Sequence, residues 1–264
     1  MRLLTEVVLP STLATLSNDV FHNCSSLETI DLSNTALTGL GDQCFSYCTS
    51  LKSVAMPSTM GGEYSLSTNA FIGCSSLTEM TFPNGSARLE VIDGILYEYT
   101  VSDGELDGGM IVLLALGGYE NEDVVILDGT TTICNNAFEY NQIIKTLTIP
   151  DSVKTIERLA FCGCTNLESV DLGNGVELIC QSAFEGCGLI ELDIPDSVTE
   201  LVDSAFAYCK QLEKVSLPDN ITYGTGATTQ KYVFAYAENA VFTYKGVEYT
   251  YEQASELDTA LGAA

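Results

Sequence analysis

The chain has 264 residues, of which 36 are acidic and 10 are lysine or arginine, so its formal net charge is −26. That charge repels phosphate and anionic lipid and excludes nucleic acid as a partner. No apolar run approaches the ~18–20 residues of a membrane span, and the simplest use of so much acid is to keep a long exposed surface in solution.

The opening MRLLTEVVLP has neither the apolar core nor the small-residue cleavage site of a signal peptide. An intracellular protein and an exported one that has lost its signal both stay open. Residues 1–83 then repeat a short motif in which two apolar residues flank an outward one: Val7/Leu9, Ile30/Leu32, Val54/Met56 and Met80/Phe82. Alternation with period two predicts strands with one face in a core and one in solvent. Pro10, Pro57 and Pro83 follow three of these pairs, and Ser33 follows the fourth. Proline has no N–H to donate, so it ends the ladder at the same level each time.

Residues 84–122 break the period. Within them ILYEYTV and MIVLLALGG flank the acidic, glycine-rich SDGELDGG, which predicts a β-hairpin. The motif resumes in residues 123–222 with Val125/Leu127, Leu147/Ile149, Val170/Leu172, Leu192/Ile194 and Val215/Leu217; Asp128, Pro150, Gly173, Pro195 and Pro218 take the closing position. DNITYGTGATTQ (219–230) reads as a loop. In the last segment, 223–264, a terminal coil is followed by VFTYKGVEYTY, a hairpin turning at Lys245-Gly246, and by a short helix near 251–261.

Aligned on their aromatic residue, the repeats place Phe21, Phe45, Phe71, Phe138, Phe161, Phe184, Phe206 and Phe234 in one column. Apart from the interrupted interval between Phe71 and Phe138, the period lies in the twenties, that of a solenoid with one coil per repeat. Cys24, Cys48, Cys74, Cys164, Cys187 and Cys209 each stand three residues after the phenylalanine. Stacked cysteines serve as small buried hydrophobes. Their side chains point the same way, which suits a disulfide dihedral poorly, so no disulfides are expected. Cys44 takes a position otherwise mostly alanine, and Cys134 and Cys180 lie two coils apart. Cys162 shares a column with His22, Ser46, Glu139 and Glu185, which predicts exposure and makes it the expected reactive thiol.

The pattern A-F-x-x-C-x-x-L-x-x-Φ-x-Φ-P, where Φ is an apolar residue, is clearest in IPDSVKTIERLAFCGCTNLESVDL (149–172) and IPDSVTELVDSAFAYCKQLEKVSLP (194–218). It resembles the BspA-type leucine-rich-repeat proteins over essentially the whole chain. The resemblance implies a mainly β, right-handed leucine-rich-repeat solenoid of about nine coils, with a hairpin insertion and a C-terminal hairpin-helix cap. It also implies a secreted or cell-surface protein that adheres to a protein or host extracellular-matrix ligand, without catalytic residues or cofactor.

The outward strand positions form the candidate binding surface: Thr29, Asp31, Ser53, Glu79, Thr81, Thr146, Thr148, Ser169, Asp171, Glu191, Asp193, Lys214 and Ser216. Glu6/Val8, Ala55 and Val124/Ile126 complete the column. These residues are short, polar and without an aromatic, so cationic or hydrogen-bonding ligands fit them better than sugars. Asp103, Glu105 and Asp107 are a weak calcium candidate, set against the ordinary use of Asp-Gly in turns. A Ser–His–Asp arrangement would have to be built on the one histidine, His22. Two other readings remain: a spacer or stalk that binds nothing specific, and an acid-residue hydrolase near the 84–122 insertion. The first strand has no visible cap, which points to an upstream segment or to end-to-end self-association through that edge.

Overall fold

The computed structural model describes residues 4–60, 66–103, 105–223 and 230–261. The chain forms two compact units, Met1–Tyr119 and Glu120–Ala264, and both are built from the repeat.

In the first unit the short strands β1 (Thr29–Asp31), β2 (Ser53–Ala55) and β3 (Glu79–Thr81) form a parallel ladder in which Ile30, Val54 and Met80 pair in register. Each strand buries its central residue, as period-two alternation requires. On the opposite side of each coil, Leu16, Leu40 and Leu66 form parallel bridges and bury their side chains. No ladder forms over the expected first strand: Val7 and Leu9 are half-buried and Val8 is exposed, but residues 4–10 are not paired with β1. Alternation predicts which face of a segment turns inward, not whether its backbone pairs with the next coil.

The interruption is a three-stranded antiparallel meander of β4 (Leu89–Ile92), β5 (Ile95–Ser102) and β6 (Glu105–Ala115). Asp93 and Gly94, both at positive φ, make the two-residue turn between β4 and β5, the conformation that matches the twist of paired strands. Register shifts after Leu96 and Tyr99 bend β5 against β6.

The second unit repeats the coil with two ladders. β7 (Asp123–Val125), β9 (Thr146–Thr148) and β11 (Ser169–Asp171) make one parallel sheet on one side. On the other side β8 (Thr130–Ile133), β10 (Thr155–Ile156), β12 (Leu178–Ile179), β14 (Glu200–Leu201) and β16 (Thr222–Tyr223) stack Ile133, Ile156, Ile179 and Leu201 in register. β13 (Glu191–Asp193) and β15 (Lys214–Ser216) lead into the C-terminal hairpin, β17 (Val241–Tyr244) and β18 (Val247–Thr250). That hairpin turns at Lys245-Gly246, again with positive φ at both residues. A single 3-10 turn, Tyr251–Gln253, and a helix, Ala254–Ala260, complete the cap; a shorter helix, Gln230–Val233, precedes it.

Two readings of this unit are corrected. Val124 and Ile126 are the buried pair, each 1% exposed, while Val125 is 65% exposed. The strand is therefore one residue out of the expected phase, because VVIL is apolar at four successive positions and alternation cannot choose between its two registers. Leu127, not Asp128, then takes the closing position. Residues 222–223 of the expected loop are a strand, since Thr222 pairs with Glu200; residues 224–229 lie outside the described residues.

The core is columnar. Phe21, Phe45 and Phe71 stack at centroid spacings of 5.1 and 5.4 Å. Phe138, Phe161, Phe184, Phe206 and Phe234 stack at 5.0, 5.0, 5.2 and 5.4 Å, and Phe242 of the hairpin closes that column edge-on. All ten cysteines are free thiols. Those of the repeat column also make a polar contact: Cys48, Cys74, Cys164, Cys187 and Cys209 each direct Sγ at the phenylalanine carbonyl of the preceding coil, at 3.0–3.2 Å. A thiol is a weak donor, and here the contact recurs at one level of successive coils.

Candidate interaction surface

Parallel pairing without stagger sets the outward residues in straight rows. In the first unit Thr29, Ser53 and Glu79 form one row and Asp31, Ala55 and Thr81 the other. In the second, Thr146 and Ser169 align with Asp123, and Thr148 and Asp171 align with Val125. Glu191 and Lys214 align with Val241, and Asp193 and Ser216 align with Thr243. All thirteen candidate residues are exposed or half-buried.

Several of these side chains engage one another. Lys214 Nζ lies 2.6 Å from Glu191 Oε1, and Thr146 Oγ1 donates to Asp123 Oδ1 at 2.7 Å. Just outside the rows, Lys52 meets Glu28 at 2.7 Å and Lys145 meets Glu122 at 2.8 Å. These pairs are solvent-exposed and add little stability. Hydrogen bonds from Ser33 hold the Asp31 carboxyl below the usual carboxylate range. Glu79, Asp171 and Asp193 have no ion pair among the described residues, so the surface is acidic between its lysines.

One end of the first unit's rows borders an open cleft of about 510 Å³ between β3 and the meander, with Thr81, Arg88, Glu90 and Tyr99 in its wall. Tyr99 Oη donates to Glu90 Oε2 at 2.6 Å, and Arg88 pairs with Glu98 at 2.7 Å. Among the described residues Glu90 is the only carboxylate in this wall, whereas glycoside hydrolysis uses two that face each other. Among the described residues no group of three or more His, Cys, Asp or Glu converges on a metal position. Asp107, one of the calcium candidates, accepts hydrogen bonds from Thr100 Oγ1 and the Gly109 N–H.

His22 does find both a serine and an aspartate, but at the same nitrogen: Nδ1 is 2.6 Å from Ser46 Oγ and 3.7 Å from Asp19 Oδ1. A triad needs them on opposite nitrogens with the hydroxyl open to substrate; Ser46 is 0% exposed. Cys162, expected at the surface, is buried, and its column also buries Ser46 and Ala207. Burial, then the charges of Glu185 and Glu139, push its thiol up to about 12. A thiol held protonated is not a nucleophile at neutral pH.

The sequence reading also passed over a surface. Two residues after the column phenylalanine stand Tyr47, Tyr140, Tyr208 and Tyr236, with 49%, 66%, 43% and 51% of their surface exposed. Fixed spacing from the phenylalanine was the available signal.

The family described as BspA type leucine rich repeat region matches residues 1–99 and 131–244, in six copies. No curated protein matches the sequence. Among solved structures, a leucine rich cell surface protein from Faecalibacterium prausnitzii A2-165 is similar at a TM-score of 0.59 and 21% identity, over 89% of this chain and 80% of that one. The pneumococcal vaccine antigen PcpA is similar at 0.65 and 19% identity, over 89% and 72%. A leucine-rich repeat protein from Bacteroides ovatus ATCC 8483 is similar at 0.55 and 18% identity, over 89% and 62%. At these identities the likeness is one of fold.

Proposed function

The chain belongs to the BspA-type leucine-rich-repeat family, and from that premise we propose that it is a non-enzymatic protein-interaction module of a secreted or cell-surface protein. The carrying observation is the rowed strand face, where parallel register presents short polar side chains at fixed spacing, with acids left unpaired among them. Such a face suits a partner with a basic, hydrogen-bonding surface, drawn in by the −26 charge and sensitive to salt. The absence of a membrane-length apolar helix among the described residues is compatible with this reading, as is the description of one structural neighbour as a cell surface protein.

The test is an array of extracellular-matrix proteins probed with the purified chain, followed by the same measurement on Asp171→Lys/Asp193→Lys. Saturable binding that weakens with salt and falls at least tenfold in the variant is the expected result. Binding indifferent to both changes would remove the strand face from the reading. A second reading, a spacer that binds nothing, draws on the mutual pairing of Lys214 with Glu191 and of Thr146 with Asp123; an array without any hit favours it.

A further inference from the structure

The tyrosine column occupies a backbone position that does not favour tyrosine. Asn23, Tyr47, Tyr140, Tyr208 and Tyr236 have φ between 57° and 64°, and the same level carries Gly73, Gly163 and Gly186 at φ 72°. Glycine adopts this left-handed conformation freely, and asparagine more readily than most residues. A side chain such as tyrosine is disfavoured there. The column therefore holds residues suited to the backbone or else tyrosine, and nothing intermediate. The same conformation recurs two residues before the phenylalanine, at Asp19, Gln43, Asn136, Leu159, Ser182 and Ser204, so the left-handed turn belongs to the coil; what sets the tyrosine level apart is that the large side chains it carries are exposed aromatics.

The rings and glycines are arranged as a shelf. Consecutive coils of the second unit are bonded at this level, Tyr140 N to Cys162 O, Gly163 N to Glu185 O, Gly186 N to Ala207 O and Tyr208 N to Ala235 O. The order along the shelf is thus Tyr140, Gly163, Gly186, Tyr208, Tyr236. The Tyr140 ring lies against bare backbone, since a Cβ on Gly163 would stand 2.4 Å from its Cδ1. The Tyr208 ring stacks on Tyr236 at 4.4 Å. Between them Gly186 is open: a Cβ placed there meets nothing closer than 3.9 Å. The first unit repeats the device with Tyr47 over Gly73.

Glu139 and Glu185, the chain neighbours of Tyr140 and Gly186, are half-buried, and the groups bonded around Gln142 are neutral. Gln142 Nε2 donates to the Tyr140 and Gly163 carbonyls at 3.1 and 2.6 Å, Thr165 Oγ1 donates to Gln142 Oε1, and Asn166 Nδ2 donates to the Gln142 carbonyl. Thr165 and Asn166 are exposed and keep further lone pairs and an N–H for a ligand. Aromatic faces set beside an amide and a hydroxyl match one ligand chemistry well. An uncharged pyranose offers a C–H face to the ring and hydroxyls to the rim. A polyanion is disfavoured by the −26 charge.

We propose that this tyrosine–glycine shelf is a binding site for a neutral β-linked glycan, whose extended chain suits a straight row of bonded steps, with a sugar ring seated on the open Gly186 step between Tyr140 and Tyr208. The site is built from residues outside the strand rows and does not depend on the protein-binding reading.

The experiment is affinity electrophoresis of the full chain through gels containing hydroxyethylcellulose or galactomannan, then calorimetric titration with cellohexaose and mannohexaose. Tyr140→Gly removes one wall while keeping a residue the backbone prefers. Gly186→Tyr fills the open step with the side chain the same column accepts elsewhere. Retardation of the wild type by one of the polymers is expected, with at least tenfold weaker binding in both variants and melting temperatures within a few degrees of the wild type. Wild-type protein that neither polymer retards and neither hexasaccharide titrates would overturn the proposal. So would variants that bind unchanged, or an Arg-Gly repeat peptide that binds the shelf where the glycans do not. A large fall in the melting temperature of Tyr140→Gly would make the ring a structural element and overturn it as well. The strand-face variant Asp171→Lys/Asp193→Lys should bind glycan normally, so failure of one reading leaves the other standing.

Discussion

The coils of the second unit and the β4–β6 meander of the first are both β structure, but they are stabilised in different ways. In the coils a buried group faces the same or a similar group one repeat away, phenylalanine on phenylalanine and isoleucine on isoleucine or leucine, with a thiol reaching the preceding coil. The meander pairs locally and antiparallel. It buries Leu96, Tyr97, Val112 and Leu114 beside an ion pair, Arg88–Glu98, whose side chains are 18% and 6% exposed. Repetition lets a coil solve its packing once and reuse the solution. The meander has a single copy of each contact and carries a buried charge that has to be matched individually.

Substitutions that empty one site in each region sharpen this contrast. Phe161→Ala removes a 0%-exposed ring stacked at 5.0 Å on both sides. It should cost about 3–5 kcal/mol, as large-to-small changes at buried aromatics do, read as a lower urea midpoint with an unchanged slope. A loss near 1 kcal/mol would mean that the column relaxes around the gap and that its stacking is incidental. In the meander, Arg88→Met should cost about 2–4 kcal/mol, somewhat less than for a fully buried pair because Arg88 keeps some exposure. The double change Arg88→Met/Glu98→Leu should recover most of that loss. If the double variant is no better than the single one, packing of the arginine stem rather than charge is what matters.

The coil architecture was legible because repetition multiplies weak signals: one Phe-x-x-Cys means little, but six at one level fix the register of the whole coil. Prolines marked the strand ends for the same reason. Legibility failed where a copy departs from the pattern. VVIL offered two phases, and only pairing with Leu147 and Thr148 decides that Val124 points inward. Glu139 and Glu185 in its column imply exposure for Cys162, yet those carboxylates are half-buried at the rim while the thiol turns under it. The strand-face residues were legible as positions, since alternation alone places them. Their lysine–glutamate pairs were not, because they join residues about one repeat apart at the coil edge. The tyrosine shelf was written at a constant spacing but needed backbone angles to stand out.

A smaller effect tests whether the cysteines are filler or donors. Cys187 is 2% exposed and lies 3.2 Å from the Phe161 carbonyl. Serine keeps a donor of smaller volume, so Cys187→Ser should stay within about 1 kcal/mol of the wild type. Valine keeps the apolar character, loses the donor and overfills the column, at about 1–3 kcal/mol. The reverse order in urea unfolding would make the sulfur a hydrophobe whose contact with the carbonyl is incidental.

The finest contrast within the coils concerns one thiol at high pH. Burial, reinforced by Glu185 and Glu139, raises Cys162 from 9.0 to about 12, so between those values the folded chain keeps a proton that the unfolded chain has released. Stability from this group is therefore complete below pH 9 and declines as the pH rises toward 12, by up to about 1.4 kcal/mol per pH unit. Other raised thiols, Cys209 among them, add to the wild-type slope, so the informative quantity is a difference. Cys162→Ala cannot titrate at this position, and its unfolding free energy should fall less steeply than that of the wild type between pH 9 and 10.5. Equal slopes would mean that the folded protein releases this proton as easily as the unfolded chain does, and Cys162 would then again be the reactive surface thiol that its column of charged neighbours first implied.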